Sequence, residues 1–538
     1  MTLLVSTLSY ITIVGGLLGA GTYFLVSKTT EYREWALSFS SEIRVRPAEL
    51  LAYVVMLGCF LAYLFYGVNY RHHDEVGLLW GGIGPMVWSG RFFPLGHQEF
   101  NILNLNVTGG SFVVLYCVIV LQMLLAVLML MDALRLQDCK ARILFVFCIF
   151  ITAIWLPFEN LVVPERNAMF FMIASFWGYM RFLRGSNVYF AVVAVCAAHI
   201  SMYYKEPIFA FYLVFAGVHM ITKFISVVEL KWSALRRVVL GSPVELGWCL
   251  ASVGFFAAYV YWVVLGPALT DVYLFSPSNF YMNLMFFVKD VSAIPLFFVL
   301  VINFVMLRNI GVEGRIAISC VAAAFVYFLE INIIGLVPRY YFHSIPYLYI
   351  GIAFVMLTRE VWSAGSKKQI LVLGAAYAVV VLCIPQAARS NYFFSISQKS
   401  NQLSYSYIEG VVNEIVDGVD SDVNVFYLHK ETPYGQYKTA VMRQFLLKQL
   451  NDRKGFRINL YSLTGCMDHD RNQDSDVVHC FKYDQDIDFD IVALDGITPE
   501  SVTAINIEDY KVFDEYHFEV EGANIDRDMF YFMSPVSR

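Results

Sequence analysis

Charge is scarce in this chain. Asp, Glu, Lys and Arg make up 15% of its 538 residues, whereas soluble domains run nearer about 25%. No block of basic residues forms a nucleic-acid-binding tail, and the net charge is a modest −6. Nucleic acid is therefore set aside as a partner. No positive residue precedes the first apolar run, and that run is longer than the apolar core of a secretory signal. It is expected to be a first spanning helix with its N-terminus outside. What the chain has instead of charge is apolar surface: 58% hydrophobic and 16% aromatic residues, with mean hydropathy +0.58. One aqueous core cannot hide so much of it, so lipid must be part of the solvent.

Long apolar runs predict about twelve spanning helices, over residues 3–26, 48–67, 111–131, 143–157, 168–182, 187–204, 207–225, 243–267, 291–307, 316–337, 346–358 and 369–387. Alternate connections between them carry about eighteen Lys and Arg, and the other short connections about six. The rule that positive charge stays inside makes the richer set cytoplasmic. The N-terminus, the loop at 68–110 and everything after 388 are then external. The two halves of the membrane part show no matching repeat, which argues against a repeat-built secondary transporter.

The apolar region ends near 387, and residues 388–538 are polar enough for an independent external domain. Helical patterning at 403–416 and 439–450 alternates with strand-like runs at 423–428, 457–463, 489–494 and 517–520, which predicts an α/β layer. The region has no nucleotide fingerprint. Its Asp-rich stretch (Asp468, Asp470, Asp474, Asp476) lacks the glycine turn and terminal Glu of a calcium loop and reads as a solvated loop. Most cysteines, such as Cys59, Cys117, Cys148 and Cys196, lie in apolar runs as ordinary buried thiols. Cys466 and Cys480 lie in the polar tail. They are either two free thiols or, outside the cytoplasm, a disulfide closing a loop of about 15 residues, which would contribute on the order of 3 kcal/mol.

Chemistry is expected in the external loops. In 68–110, apolar residues at 79, 80, 83, 86 and 87 follow helical spacing, and Trp80 and Trp88 suit a membrane interface. A short surface helix is predicted, with Asp74 and Glu75 ionised at its N-terminal end. Three external turns add polar groups: Phe158-Glu159-Asn160 with Pro164-Glu165-Arg166, Tyr203-Tyr204-Lys205-Glu206-Pro207, and Pro338-Arg339-Tyr340 through His343 to Pro346. Cations are rare on that side, so Lys205 and Arg339 call for an anion to bind. Glu330 stands inside an apolar run and is either functional or an internal pairing group.

His73-Asp74-Glu75-Val76 followed by Gly90-Arg91-Phe92-Phe93-Pro94, then Lys205-Glu206-Pro207 and Arg339-Tyr340 to Pro346, resembles the C-type (GT-C) glycosyltransferase superfamily. The protein O-mannosyltransferases and the lipid A aminoarabinose transferases represent it. The likeness covers roughly residues 48–387. It departs from the family in an extra span before the acidic-pair helix and in an external domain unlike the β-trefoil of eukaryotic protein O-mannosyltransferases.

The resemblance implies a GT-C-like membrane domain over 1–387 that transfers a sugar from a polyprenyl-phosphate donor to an external glycan, lipid or protein acceptor. Asp74 is expected to be the general base, with Glu75 positioning the acceptor or substituting for it. Lys205 and Arg339 are expected to hold the departing phosphate. One direct displacement inverts the anomeric centre. Glu159, Glu165, His97, Glu99, Tyr340 and His343 are candidates for substrate contacts. His72, His73, Asp74, Glu75 and His97 offer ligands to a divalent cation, which this chemistry does not require. The competing expectations are a transporter or lipid flippase, disfavoured by the few polar residues in the spans beyond Glu330, His199 and Asn332, and an assembly protein acting through its external domain.

Overall fold

In a computed structural model the described residues are 2–28, 87–88, 91–103, 113–137, 139–151, 153–159, 163–185, 187–226, 232–265, 293–306, 311–334 and 343–363, isolated positions within 47–59 and 280–285 and at 374, and then 423–429, 458–462, 478–480, 489, 491–495, 499–502, 506–518 and 528–535. The chain divides into two compact units, Met1–Leu64 with Ile83–Ile102 and Ser111–Asn391, and Phe65–Gly82 with Leu103–Gly110 and Tyr392–Arg538.

The first unit is a helix bundle. Among the described residues the helices with both ends placed are α1 (Thr2–Lys28), α2 (Val113–Leu134), α3 (Cys139–Ile151), α4 (Leu156–Glu159), α5 (Glu165–Gly185), α6 (Val188–Met202), α7 (Ile208–Ile225), α8 (Trp232–Leu240), α9 (Pro243–Tyr259), α10 (Ala293–Met306), α11 (Val312–Ile334) and α12 (Ser344–Ser363). Five helical stretches are long and apolar enough to cross a membrane: Ser6–Lys28, Val113–Leu134, Ile208–Ile225, Pro243–Val264 and Val312–Asn332. Exposed Leu17, Phe24, Leu121, Ile221, Val253 and Phe325 line these helices, as lipid-facing surfaces require.

The run at 143–157 is not one straight span. α3 stops at Ile151, a tight turn covers Ala153–Trp155, and α4 restarts at Leu156. Pro157 explains the break, because proline is accommodated in the first turn of a helix and not in its interior. At 1.5 Å per residue a helix the length of α3 reaches about 20 Å, short of the roughly 30 Å apolar core of a bilayer.

Small residues set the closest packing. A Cβ at Gly178 of α5 would lie 2.9 Å from both Ala194 N and Phe190 O of α6. Ala191, Ala194 and Ala198 of α6 are fully buried, so the two backbones approach as small-residue membrane interfaces do. Ser175 and Trp248 both donate to the Ala194 carbonyl, at 2.6 and 3.1 Å, which ties α5 and α9 to α6. α6 begins where the Asn187 side chain accepts from Tyr189 N at 3.0 Å, an N-cap bond. α9 starts with Pro243 and ends in one wide π-turn, Val260–Val264.

Before α2 the chain forms a small hairpin. β1 (Val87–Trp88) pairs antiparallel with β2 (Arg91–Phe92), with two residues between them. The predicted surface helix therefore does not extend through 87 and 88. Its other positions, 79–86, lie outside the described residues. Ten residues with a mixed apolar pattern fit both periods, and the two-residue spacing with Gly90 favours a hairpin.

The second unit holds a six-stranded sheet in the order β5-β4-β3-β6-β8-β7, from β3 (Val423–His429), β4 (Ile458–Ser462), β5 (Val478–Cys480), β6 (Ile491–Asp495), β7 (Tyr510–Phe518) and β8 (Asp528–Pro535). β5, β4, β3 and β6 run parallel, and β8 and β7 continue the sheet antiparallel. The expected strands at 423–428, 457–463 and 489–494 are present with edges shifted by one or two residues, whereas β7 starts seven residues before the expected 517–520 and overlaps it only at 517 and 518. Parallel neighbours need long crossovers, and the helical patterns at 403–416 and 439–450 lie outside the described residues. Phe426, Leu428, Phe489, Val492, Leu494 and Val502 form the core here.

Candidate functional site

One end of the bundle is formed by the start of α5, the turn joining α6 to α7, and the segment after β2. Phe92 is fully buried and stacks on Trp262 with ring centroids 5.6 Å apart. Its N–H donates to Glu206 Oε1 at 3.0 Å, and Leu95 N donates to Tyr203 O at 3.0 Å. The Phe-Phe-Pro stretch is thus pinned to the α6–α7 turn. The chain then reverses. A Cβ at Gly96 would meet the Phe93 ring at 2.3 Å, and His97 takes a left-handed backbone, φ 64. That turn delivers Glu99 to the beginning of α5.

Glu99 is anchored through one oxygen. Its Oε1 accepts from Arg166 Nη2 at 3.0 Å and from Asn167 Nδ2 at 2.6 Å. Gln122 of α2 steadies Asn167 through a 2.8 Å bond. Glu99 Oε2 is buried and receives no hydrogen bond among the described residues. A carboxylate held this way is oriented, and it keeps an acceptor for a hydroxyl. Beside it, Lys205 Nζ lies 2.6 Å from Glu165 Oε1, with side chains 6% and 1% exposed. Burial holds the neighbouring Tyr204 hydroxyl well above its ordinary range, and the Glu99 charge adds to this. It stays a proton donor.

Lys205, Glu165, Glu99 and His97 therefore fall at one end of the bundle. Lys205 carries a carboxylate partner of its own, so the lone cation read from the sequence is an ion pair. His343 is buried at the start of α12 and packs against Phe328 and Tyr347. Asp74, Glu75, Arg339, Tyr340, Cys466 and the side chains of Glu159 and Cys480 lie outside the described residues, as do His72 and His73. Among the described residues no group of three or more His, Cys, Asp or Glu is placed to hold a metal ion.

No family model, curated protein or solved structure matches this chain.

The sequence reading did not select Arg166, Asn167 or Glu206 as site residues. The usable signal was their position directly beside Glu165 and Lys205 in turns already singled out. It also missed a second group inside the bundle. Tyr179 Oη donates to Glu245 Oε1 at 2.6 Å and lies 2.7 Å from His219 Nδ1. Lys223 Nζ bonds Glu245 Oε1 at 2.7 Å and Ser242 Oγ at 3.0 Å. Lys223 and Glu245 are each 1% exposed. Lys223, inside the apolar run 207–225, forms an interior ion pair with Glu245.

Proposed function

We propose that this chain is an integral membrane glycosyltransferase of the GT-C type. It transfers a sugar from a polyprenyl-phosphate donor to an extracytoplasmic glycan, lipid or protein acceptor, with inversion. In this reading about twelve helices span a plasma or inner membrane, and residues 388–538 form an external α/β domain that contributes to acceptor choice. The observation that carries the reading is the half-anchored carboxylate of Glu99 beside the buried Lys205–Glu165 pair. Both sit where the Gly-Arg-Phe-Phe-Pro stretch, sixteen residues after Asp74, is pinned into the bundle.

Asp74 takes the proton from the acceptor hydroxyl as that oxygen attacks the anomeric carbon. The bond to the donor phosphate breaks, and the polyprenyl phosphate leaves with its electron pair. Lys205 and Arg339 stabilise the added negative charge in a site poor in water. As the phosphate arrives it competes with Glu165 for the Lys205 ammonium. Glu99 Oε2 accepts from a sugar hydroxyl. No cofactor enters these steps.

The test is incubation of purified protein with a panel of polyprenyl-phosphate sugars, following release of polyprenyl phosphate. Asp74→Asn is expected to abolish release without changing the melting temperature. Full activity in that variant removes the base assignment, and no release from any donor removes the reading.

A second reading, a transporter or lipid flippase, is favoured by the Tyr179–His219–Glu245–Lys223 group, because charged side chains inside a bundle mark polar pathways. Substrate movement across proteoliposomes lacking any acceptor supports it, and its absence alongside sugar release discards it.

A further inference from the structure

The sheet of the second unit reverses its order of growth once. From β3 the chain moves outward to β4 and then to the edge strand β5. It then returns past both to place β6 on the other side of β3. β3, β4, β5 and β6 are parallel, and β7 is parallel to β6 because both run against β8. Crossovers between parallel strands are right-handed. That rule sends the connection from β3 to β4 over one face of the sheet and the connection from β6 to β7 over the other. Connections that diverge in this way from adjacent strands leave a crevice at the carboxyl ends of those strands. In open α/β sheets ligands bind in such a crevice.

Both strands at this point end on a polar residue. β6 reads Ile491-Val492-Ala493-Leu494-Asp495, with Val492, Ala493 and Leu494 all buried, as a strand covered on both faces requires. β3 buries Phe426 and Leu428 and ends at His429. His429 and Asp495 are Cα partners on the last rung of the β3–β6 ladder. A turn accounts for Asp495, since Gly496 follows it and Asp-Gly suits a turn. It does not call for an imidazole at the neighbouring position. The residue types also narrow the ligand. A dinucleotide site carries glycines directly after its first strand, where this chain has Lys430-Glu431-Thr432. An ionised carboxylate on the rung repels a phosphate. Asp and His together offer acceptors and a donor to hydroxyl groups.

We infer that the crevice at the carboxyl ends of β3 and β6, where His429 and Asp495 share the last rung, binds an uncharged oligosaccharide. A few placed polar groups are what fix the orientation of a ligand in such a site. The role of the site rests on the proposed transferase reading: the oligosaccharide is the acceptor, and this unit selects it by its sugar units. A lipid or protein carrying none is then not recognised there. Binding itself is separate from transfer and is measured without a donor.

The test uses the full-length protein in detergent. It is applied to a printed array of neutral and anionic oligosaccharides, and titration calorimetry then gives the Kd of the best-bound one. Saturable binding of a neutral oligosaccharide is expected. Asp495→Asn keeps a residue suited to the turn and removes the charge. It is expected to weaken binding about tenfold, the effect of losing one charge-assisted hydrogen bond. His429→Gln gives the same readout should Asp495→Asn fail to fold, and melting temperatures report the folding of both. No binding to the array, a preference for anionic oligosaccharides, or unchanged affinity in both variants overturns the inference. Release of polyprenyl phosphate, followed on the same preparation, separates the two readings. Release without oligosaccharide binding overturns the crevice and leaves the transferase. Binding without release from any donor keeps the crevice and removes the transferase.

Discussion

Glu99 and Lys205 are the described residues to which the proposed reaction assigns roles, and they make different predictions. Glu99 spends one oxygen on Arg166 and Asn167, so its orientation is set before any substrate arrives. Glu99→Gln keeps the size and an acceptor but loses the charge that strengthens both bonds. Transfer is expected to fall about tenfold to a hundredfold, mostly in KM, as a charged contact becomes a neutral one. Kinetics on the purified variant decide it, and unchanged constants remove Glu99 from the site. Lys205 is bound to a carboxylate that is 1% exposed. Lys205→Met leaves Glu165 buried without its counter-charge and is expected to cost about 3–5 kcal/mol. Adding Glu165→Leu removes the stranded charge, and the double variant is expected to recover most of that stability. Thermal melts test the recovery. Sugar transfer is expected to stay lost in the double variant. Recovered transfer would make the pair structural and nothing more.

At the scale of elements, the apolar runs were legible because a spanning helix needs a long stretch of one composition. α1, α2, α7 and α11 fall where 3–26, 111–131, 207–225 and 316–337 predict them. The C-terminal strands were legible through short β-branched and aromatic runs between polar breaks. The turns carrying Lys205 and Glu165 stood out through scarce charge. Three things were not legible. The break after Ile151 depends on one proline inside an otherwise apolar run. The hairpin at Val87–Phe92 depends on a spacing that a helix pattern also satisfies. The bonds from Arg166 and Asn167 to Glu99 join residues more than sixty positions apart, and no local pattern records that. Lys223 and Glu245 sit at helix ends, where a charge looks solvated until the neighbouring helices are placed. Packing between elements makes its own prediction at Gly178. A side chain there must displace the α6 backbone, which cannot yield as a flexible side chain does. Gly178→Leu is expected to destabilise by about 1–3 kcal/mol or more through overpacking, seen as a lower melting temperature. An unchanged melt would mean that α5 and α6 are farther apart than these distances.

Across the whole molecule the two ends of the helix bundle differ in kind. Among the described residues, one end gathers Glu99, Glu165, Arg166 and Lys205, and the other gathers Arg135, Arg142, Arg181, Arg184 and Arg359. A membrane protein with this asymmetry is expected to keep the arginine-rich end in the cytoplasm, because cation-rich connections resist translocation. The proposed reaction depends on that orientation, since it places the Lys205 end against the leaflet that presents the lipid-linked sugar. Ile102, 73% exposed near the first end, and Gly185, exposed at the last turn of α5, lie on opposite sides of this division. In intact cells Ile102→Cys is expected to react with a membrane-impermeant maleimide. Gly185→Cys is expected to react only after permeabilisation, with the parent protein giving the background of the native cysteines. The reverse pattern would put the Glu99–Lys205 site in the cytoplasm. A donor exposed on the outer leaflet could not then reach it, and the glycosyltransferase reading would fall even if every side chain at the site stood as described.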